Sequence, residues 1–448
     1  MKFEIPVGAH NILHTLTDAG YEAYLVGGCV RDLLRGEQPH DWDICTSARP
    51  EETEVCFAGH HIIETGLKHG TVTVMEGGEP YEITTYRTEG PYSDSRRPDY
   101  VEFVSSLEAD LARRDFTMNA IAMGLDGSLR DPFDGAGDIQ TGLIHCVGDP
   151  AQRFQEDGLR VMRALRFASC FRFGIETETV RAVHQSRAML DQVAAERINA
   201  ELCKLLEGPG AADVIRNYPD IFCQFWPQLE PLVHMEQNNP WHCYDGWEHT
   251  LHAVDAVSED LVLRLAMLLH DIGKPSCKTT GEDGVDHFRG HPAVSAKMAD
   301  EMLRQLRFDT KTRERVVRLV ELHDAEIPLR EKTVRKWLGK LGQEAFFQLL
   351  EVKVADNKAQ NPAMVQNRLA ELAKIKVMAE SIIAQGACLS LRDLEVNGRD
   401  VIAAGVAPGP VVGKVLNNLL ERVIDGETPN ERDALVGFIP DVLQGFSG

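Results

Sequence analysis

The stretch that decides the fold is Tyr24–Leu34, YLVGGCVRDLL, followed at Asp41–Thr46 by DWDICT. A short apolar run stops at Gly27 and Gly28, and a helical pattern begins. Two glycines let the backbone turn sharply and approach a ligand closely. A helix N-terminus placed there offers unpaired N–H groups to an anion, and Arg31 in the first turn adds a charge-assisted contact. A lone Gly-Gly before a helix is more often only a turn, so the next segment matters. Asp41 and Asp43 are separated by one residue in an apparent strand, which points both side chains to one face. Two adjacent carboxylates repel unless a cation neutralises them, and oxygen ligands completed by substrate phosphates suit Mg²⁺. The plainer alternative is a solvated strand face.

Outward from there, EAYLVGG, DWDICT, TVTVME and YEITTYR make residues 22–104 read as strands and turns, the last three segments alternating apolar and polar. Glu82, in YEITTYR, sits on another alternating strand and completes a three-carboxylate set, unless it is simply solvated. A phosphate turn about a dozen residues ahead of a carboxylate pair suggests nucleotidyl transfer by two metals. One would activate the attacking hydroxyl and both would stabilise an in-line displacement. From Gln155 to Gly208 the pattern becomes helical. From Ala211 nearly everything is helical, interrupted by GEDGVDHFRGHP and by GVAPGP at 405–410.

The chain has 448 residues, 47 Lys and Arg against 69 Asp and Glu, a formal charge of −22, and 43% hydrophobic residues. That length suggests about three domains. The acidic balance argues at first against a nucleic-acid partner, because phosphate binding is driven by Lys and Arg. The excess is local: residues 1–150 carry −15, 151–240 carry −2 and the rest −5. Whole-chain charge is therefore a poor guide to the partner, since the acidic excess lies mostly in the first 150 residues. The N-terminus lacks the basic and apolar regions of a signal peptide. No apolar run reaches the roughly 18 residues of a membrane helix; Leu261–Leu269 is broken by Arg264. Ten scattered cysteines without C-x-x-C argue against a zinc-thiolate site and fit a reducing cytoplasm.

GGCVRD, DWDICT, YEITTYR, RRDFTMNA, DPFDG and EDGLRVMR occur in that order. The set resembles the class II tRNA nucleotidyltransferases, the CCA-adding enzymes of the poly(A) polymerase family, over roughly residues 20–210, with weaker similarity onward. The resemblance implies an α+β fold class. A polymerase β-like nucleotidyltransferase head with a mixed sheet, over 1–145, precedes an all-α neck (146–215), a helical body (216–385) and a helical tRNA-binding tail (386–448). It implies that Asp41 and Asp43 bind the catalytic Mg²⁺ and that Gly28, Arg31 and Arg114 hold the nucleotide, with Asp115 and Asn119 in support. YSDSRRPDYVEFV resembles the loop of enzymes that add the terminal A as well as the two Cs.

In the neck, Asp157, Arg160, Arg163 and Arg166 recur every third residue, forming a stripe on one helix. Such stripes are usually solvated, but an Asp acceptor beside an Arg donor can read a base edge. Cytosine and adenine both offer an amino donor beside a ring-nitrogen acceptor; uracil and guanine present the reverse order. The resemblance agrees: Asp157 and Arg160 match the residues that replace a template, and Arg163 and Arg166 match further nucleotide or phosphate contacts. Glu156 is not separable from a supporting role.

The body carries His249 in WEHTLHAV, His270 and Asp271 in LLHDIGKP, His287 and His291 in HFRGHP, His323 and Asp324 in ELHD, and Asp356 in ADNKAQ. A lone helical His is more often structural, yet imidazole with carboxylate suits first-row divalent ions. The set resembles the HD phosphohydrolase superfamily, which implies His249, His270, Asp271 and Asp356 as core ligands of a second divalent metal, with His291 and His323 available for another ion. It implies phosphodiesterase or phosphatase action on nucleotide or RNA-end phosphates. Arg304–Lys340 holds eleven Lys and Arg against six Asp and Glu, a backbone-contacting face or a solvated one.

The expected activity is untemplated addition of CCA to tRNA from CTP and ATP, in the cytoplasm, with no membrane and no stable protein partner. The alternatives are a poly(A) polymerase of the same family, an HD nucleotide phosphohydrolase with a vestigial head, and a tRNA-binding protein without catalysis.

Overall fold

The structure is a computed structural model that describes residues 4–66, 70–90 and 100–445. The chain divides into two compact units, Met1–Glu230 with Gln305–Phe308, and Pro231–Arg304 with Asp309–Gly448.

The first unit opens with a helix, Val7–Asp18, and then builds a sheet. Its strands are β1 (Ala23–Val26), β2 (Asp43–Thr46), β3 (His61–Gly66), β4 (Thr71–Glu76) and β5 (Glu79–Thr85), joined by two short strands at Ala122–Met123 and Leu129–Arg130. The order is β3-β4-β5-β2-β1, then the two short strands. β2 and β5 run parallel, and every other neighbouring pair is antiparallel. Alternation in TVTVME buries Val72 and Val74 while its threonines are partly exposed, as a half-buried strand requires. Leu25, Ile44, Cys45 and Ile83 fill the centre of the sheet.

The parallel pairing of β2 with β5 sets Asp43 opposite Glu82. The strand begins only at Asp43, so Asp41 lies in the bend before it. The expected strand placement of Asp41 is therefore corrected: the chain is still turning out of His40-Asp41, and the ladder first pairs at Asp43.

After the sheet the unit is helical. Pro150–Glu156 and Leu159–Phe171 are separate helices, and Asp157 stands at the break between them with extended backbone (φ −142°, ψ 105°). The expectation of one continuous stripe is corrected here. Arg160, Arg163 and Arg166 share a helix, whereas Asp157 stands just before its N-cap, Gly158, with its Oδ1 accepting the Leu159 N–H at 3.0 Å. A helix whose N–H groups need acceptors gains from such a carboxylate.

The second unit is built of helices. Leu261–Leu269 is capped by Asp260, which accepts the Leu263 N–H, and eight of its nine residues are buried. It is a core helix, and among the described residues no helix is long and apolar enough to cross a membrane. Around it lie Gly246–Ala256, Thr310–Leu322 and Gln343–Lys358. GEDGVDHFRGHP supplies the turn and second strand of a small hairpin in which Thr279 pairs with His287, and then opens the helix His291–Gln305. The last helices, Gly398–Ala403, Pro410–Ile424 and Arg432–Gly445, enclose a core of their own around Val401, Val415, Leu419, Leu435 and Ile439.

Candidate functional site

In the head, Gly27 takes φ +78° between β1 and the helix Gly28–Leu34. A Cβ there would sit 3.0 Å from Arg114 Nη1 and 3.9 Å from Asp43 Oδ2. The glycine thus lets an arginine and a carboxylate converge beside the turn. Arg31 donates to Asp32 at 2.9 Å and to Asn119 Oδ1 at 2.8 Å, and its guanidinium lies over the Phe167 and Phe171 rings. Arg114 reaches Asp110 Oδ2 at 3.3 Å. Burial, with Glu82 and Asp41 nearby, raises the Asp43 carboxyl above its usual range despite Arg114. Those carboxylates crowd one another in a way a cation relieves, so the donor set fits Mg²⁺. They do not clamp it: among the described residues, only the body holds triads whose ligand atoms lie within 4.8 Å of one another. Mg²⁺ is commonly held by one or two carboxylates with substrate phosphates and water, so an open set is suited to it.

The neck is wired to the head through Asp115. This carboxylate receives Arg163 Nε at 2.7 Å, Asn119 Nδ2 at 3.0 Å and the Phe116 N–H at 2.8 Å. Burial opposes its ionisation, but Arg163, Asn119 and Arg160 hold it well below the usual carboxylate range. Arg160 is buried and donates to Glu156 at 2.7 Å and to the carbonyls of Arg153 and Arg113. Glu156 thereby fixes the plane of Arg160. Asp157 is held by Arg197 at 2.7 Å, and Arg166 by Glu201 at 2.6 Å. Arg197 and Glu201 escaped the sequence reading. The signal was available: they stand four apart on one amphipathic helix, Ala195–Leu206, with the acid on its buried side. YSDSRRPDYVEFV lies largely in residues 91–99, outside the described residues.

In the body, all six expected ligands come together. His249 Nε2 lies 3.2 Å from His270 Nε2, 3.2 Å from Asp271 Oδ2 and 3.1 Å from Asp356 Oδ1. His291 Nε2 lies 3.1 Å from His323 Nε2 and 3.2 Å from Asp271 Oδ1. Asp271 thus turns one oxygen to each histidine pair. Each imidazole points its Nδ1 at a backbone carbonyl: His249 at Ala359, His270 at Met267, His291 at Phe288 and His323 at Val320. With the proton on Nδ1, the Nε2 lone pairs face inward, the tautomer a metal ligand needs. Facing lone pairs at such separations repel until a cation sits between them. Both oxygens of buried Asp271 also lack a well-formed hydrogen bond, although Lys274 Nζ approaches to 2.6 Å as an ion contact. The set therefore fits a divalent transition ion. Burial opposes protonation of His270, but Asp271 and Asp356 push it up to about 10. Burial and His270 press His323 down to about 3.

His287 and Asp324 border the same cavity of about 320 Å³. The basic run 304–340 is less bare than its composition implies. Arg313 pairs with Asp300, Arg315 with Glu344, Arg335 with Glu331, and Lys332 and Lys336 with Asp425.

Comparison with known proteins follows the same lines. A family model described as the poly A polymerase head domain matches residues 23–145. One for a probable RNA and SrmB-binding site of polymerase A matches 172–218, and one for a putative tRNA nucleotidyltransferase domain 2 matches 291–439. The chain is 36% identical over 444 residues to the CCA-adding enzyme of Limosilactobacillus reuteri, covering 97% of this chain and 96% of that protein. It is 35% identical over 446 residues to that of Levilactobacillus brevis, covering 97% of each. The crystal structure of the Bacillus stearothermophilus CCA-adding enzyme in complex with CTP superposes with a TM-score of 0.68 at 30% identity, over 98% of both chains. With the head turn, its carboxylates and the arginine-bearing neck in place, this similarity along nearly the whole chain shows that it belongs to the CCA-adding enzymes.

Proposed function

We propose that the chain adds C, C and A to tRNA 3′ ends from CTP and ATP, with no nucleic-acid template. The observation that carries this reading is the junction of head and neck, where Arg163 ties Asp115 to the helix bearing Arg160 and Arg166. The names of the relatives and the CTP in the Bacillus structure support it.

The residues divide the work. The N–H groups at Gly28, with Arg31 and Arg114, receive the triphosphate. Asp41, Asp43 and Glu82 would hold Mg²⁺, which when bound neutralises the triphosphate and favours ionisation of the attacking hydroxyl. The tRNA 3′ hydroxyl attacks the α-phosphorus, and pyrophosphate leaves. Asp157 accepts the amino group of C or A while Arg160 donates to the neighbouring ring nitrogen. Arg197 and Glu156 hold these two side chains in place before the base arrives, so little ordering remains to be done on binding. U and G present the reversed donor and acceptor, leaving buried polar groups unpaired at about 1–3 kcal/mol each. The helical tail 386–448 and the body supply the tRNA-binding surface. Incubation with tRNA lacking CCA, Mg²⁺ and each nucleotide triphosphate, followed by 3′-end sequencing, tests this. CTP should give CC, CTP with ATP should give CCA, and UTP and GTP nothing. Tails of A alone would favour the poly(A) polymerase reading instead.

A second reading concerns the body. Four inward-facing imidazoles sharing Asp271 favour a transition-metal centre that hydrolyses phosphate esters. Metal analysis of the purified protein should find about one or two ions per chain, lost in His270→Ala.

A further inference from the structure

Beside the histidine–aspartate cluster stands an aromatic side chain that packing does not explain. Trp226 and Trp247 are buried in apolar cores. Trp241 instead is half-buried and borders the cavity that Asp271, His291, His323 and Asp356 also line. Its backbone is stapled in place. The Trp241 N–H donates to Asn239 Oδ1 at 3.0 Å, its carbonyl accepts the Asn361 N–H at 2.8 Å, and Asn361 Nδ2 donates to the Pro240 carbonyl at 3.0 Å. The Arg368 guanidinium lies 3.9 Å from the centre of the indole ring. Arg368 is exposed and, among the described residues, pairs with no carboxylate, so only the ring holds it. Lys274 and Arg289 add positive charge to the same cavity. A second cavity of about 480 Å³ adjoins it and shares His323, Asp356 and Arg368.

We propose that Trp241 and Arg368 form the platform on which a base rests while the phosphate of a nucleoside monophosphate engages the histidine–aspartate cluster. Arg368 lifts from the indole and closes on the base, so that the two planes sandwich it. Both are positioning residues and take no part in bond breaking. The proposal rests on the reading of the cluster as a metal centre. Base stacking on an aromatic ring contributes roughly five- to 150-fold in affinity. A free mononucleotide and the phosphorylated 3′ end of an RNA share this chemistry.

The test uses full-length protein loaded with Co²⁺, whose visible absorption reports an ion held by imidazole. The bands are titrated with AMP and with ribose 5-phosphate, which keeps the phosphate and lacks the base. AMP should bind roughly five- to 150-fold more tightly. Trp241→Ala should bring AMP to the level of ribose 5-phosphate without changing the latter, Trp241→Phe should keep most of the preference, and Arg368→Met should lose part of it. The cobalt spectrum before titration checks that each variant has kept its fold. Equal constants in the unaltered protein overturn the platform while leaving the metal centre standing, as does a preference that survives Trp241→Ala. A protein that takes up no imidazole-held cobalt removes the metal reading, and the platform with it. The same titration with the dinucleotide ApAp separates the two sources: tighter binding than AMP assigns the site to RNA ends, weaker binding to free nucleotides.

Discussion

The head and the body both bring carboxylates together, and they do so in opposite ways. In the head, Asp43 and Glu82 are set side by side by a strand register, with Asp41 in a bend and no imidazole among them. In the body, histidines and Asp271 from helices and from the turns just past helix ends form two triads that share Asp271, the ligand atoms of each within 4.8 Å of one another, with Asp356 beside the first. The first arrangement leaves room for substrate phosphates; the second offers a tighter, nitrogen-rich set of donors. A hard cation shared with a substrate wants few protein oxygens, and a resident transition ion wants a rigid nitrogen-rich cage. The same contrast holds for electrostatics. Asp43 is raised by burial and like neighbours. Asp271 is held well below the usual carboxylate range because His270 and Lys274 outweigh its burial.

The largest effect that would sharpen this contrast is expected in the head. Asp43→Ala should lower nucleotide addition on the order of a thousandfold, the loss of about 4 kcal/mol of transition-state stabilisation. Single-turnover rates with primer tRNA and CTP check it, and near-normal rates would break the proposed division of labour.

Next comes the wiring of neck to head. Arg163→Met leaves buried Asp115 without its strongest partner, at a cost of about 3 kcal/mol of stability near neutral pH. Because the folded carboxyl is depressed, its contribution is present above the unfolded value of about 3.9 and lost as pH falls through the folded value. The gap between variant and parent in urea melts should therefore be widest near pH 7 and shrink below about pH 4; a gap independent of pH would contradict the pairing.

A smaller effect is expected in base choice. Asp157→Ala should cut discrimination of C and A against U and G by about five- to 150-fold, with Mg²⁺ dependence unchanged. Addition of only C and A at normal rates would remove the template role from Asp157.

The strand, turn and helix at Tyr24–Leu34 were legible because two glycines interrupt an apolar run, a signal carried by adjacent residues. The pairing of Glu82 with Asp43 was legible as two alternating strands, though their parallel register is a tertiary fact. Asp41 and Asp157 were placed one step too far into regular structure. In both cases spacing suggested continuity, and only local hydrogen bonding reveals the break: the ladder begins at Asp43, and Asp157 lies before a helix that starts at Leu159 and accepts that residue's N–H. In the body, residue type alone pointed to the ligands. That Asp271 serves both histidine pairs depends on His249, His291 and His323, 20 to 52 residues away in sequence, meeting it at one point, which periodicity cannot show. Arg197, Glu201 and Trp241 act through partners distant in sequence, so they looked like ordinary helix or loop residues.

The most direct test of two separate cation sites is a crossed measurement on Asp43→Ala and His270→Ala, following CCA addition and bound transition metal in each. Asp43→Ala is expected to lose addition and keep its metal, while His270→Ala is expected to lose the metal and still complete CCA. Loss of addition in His270→Ala with the fold intact, or loss of the imidazole-held metal in Asp43→Ala, would contradict the separation.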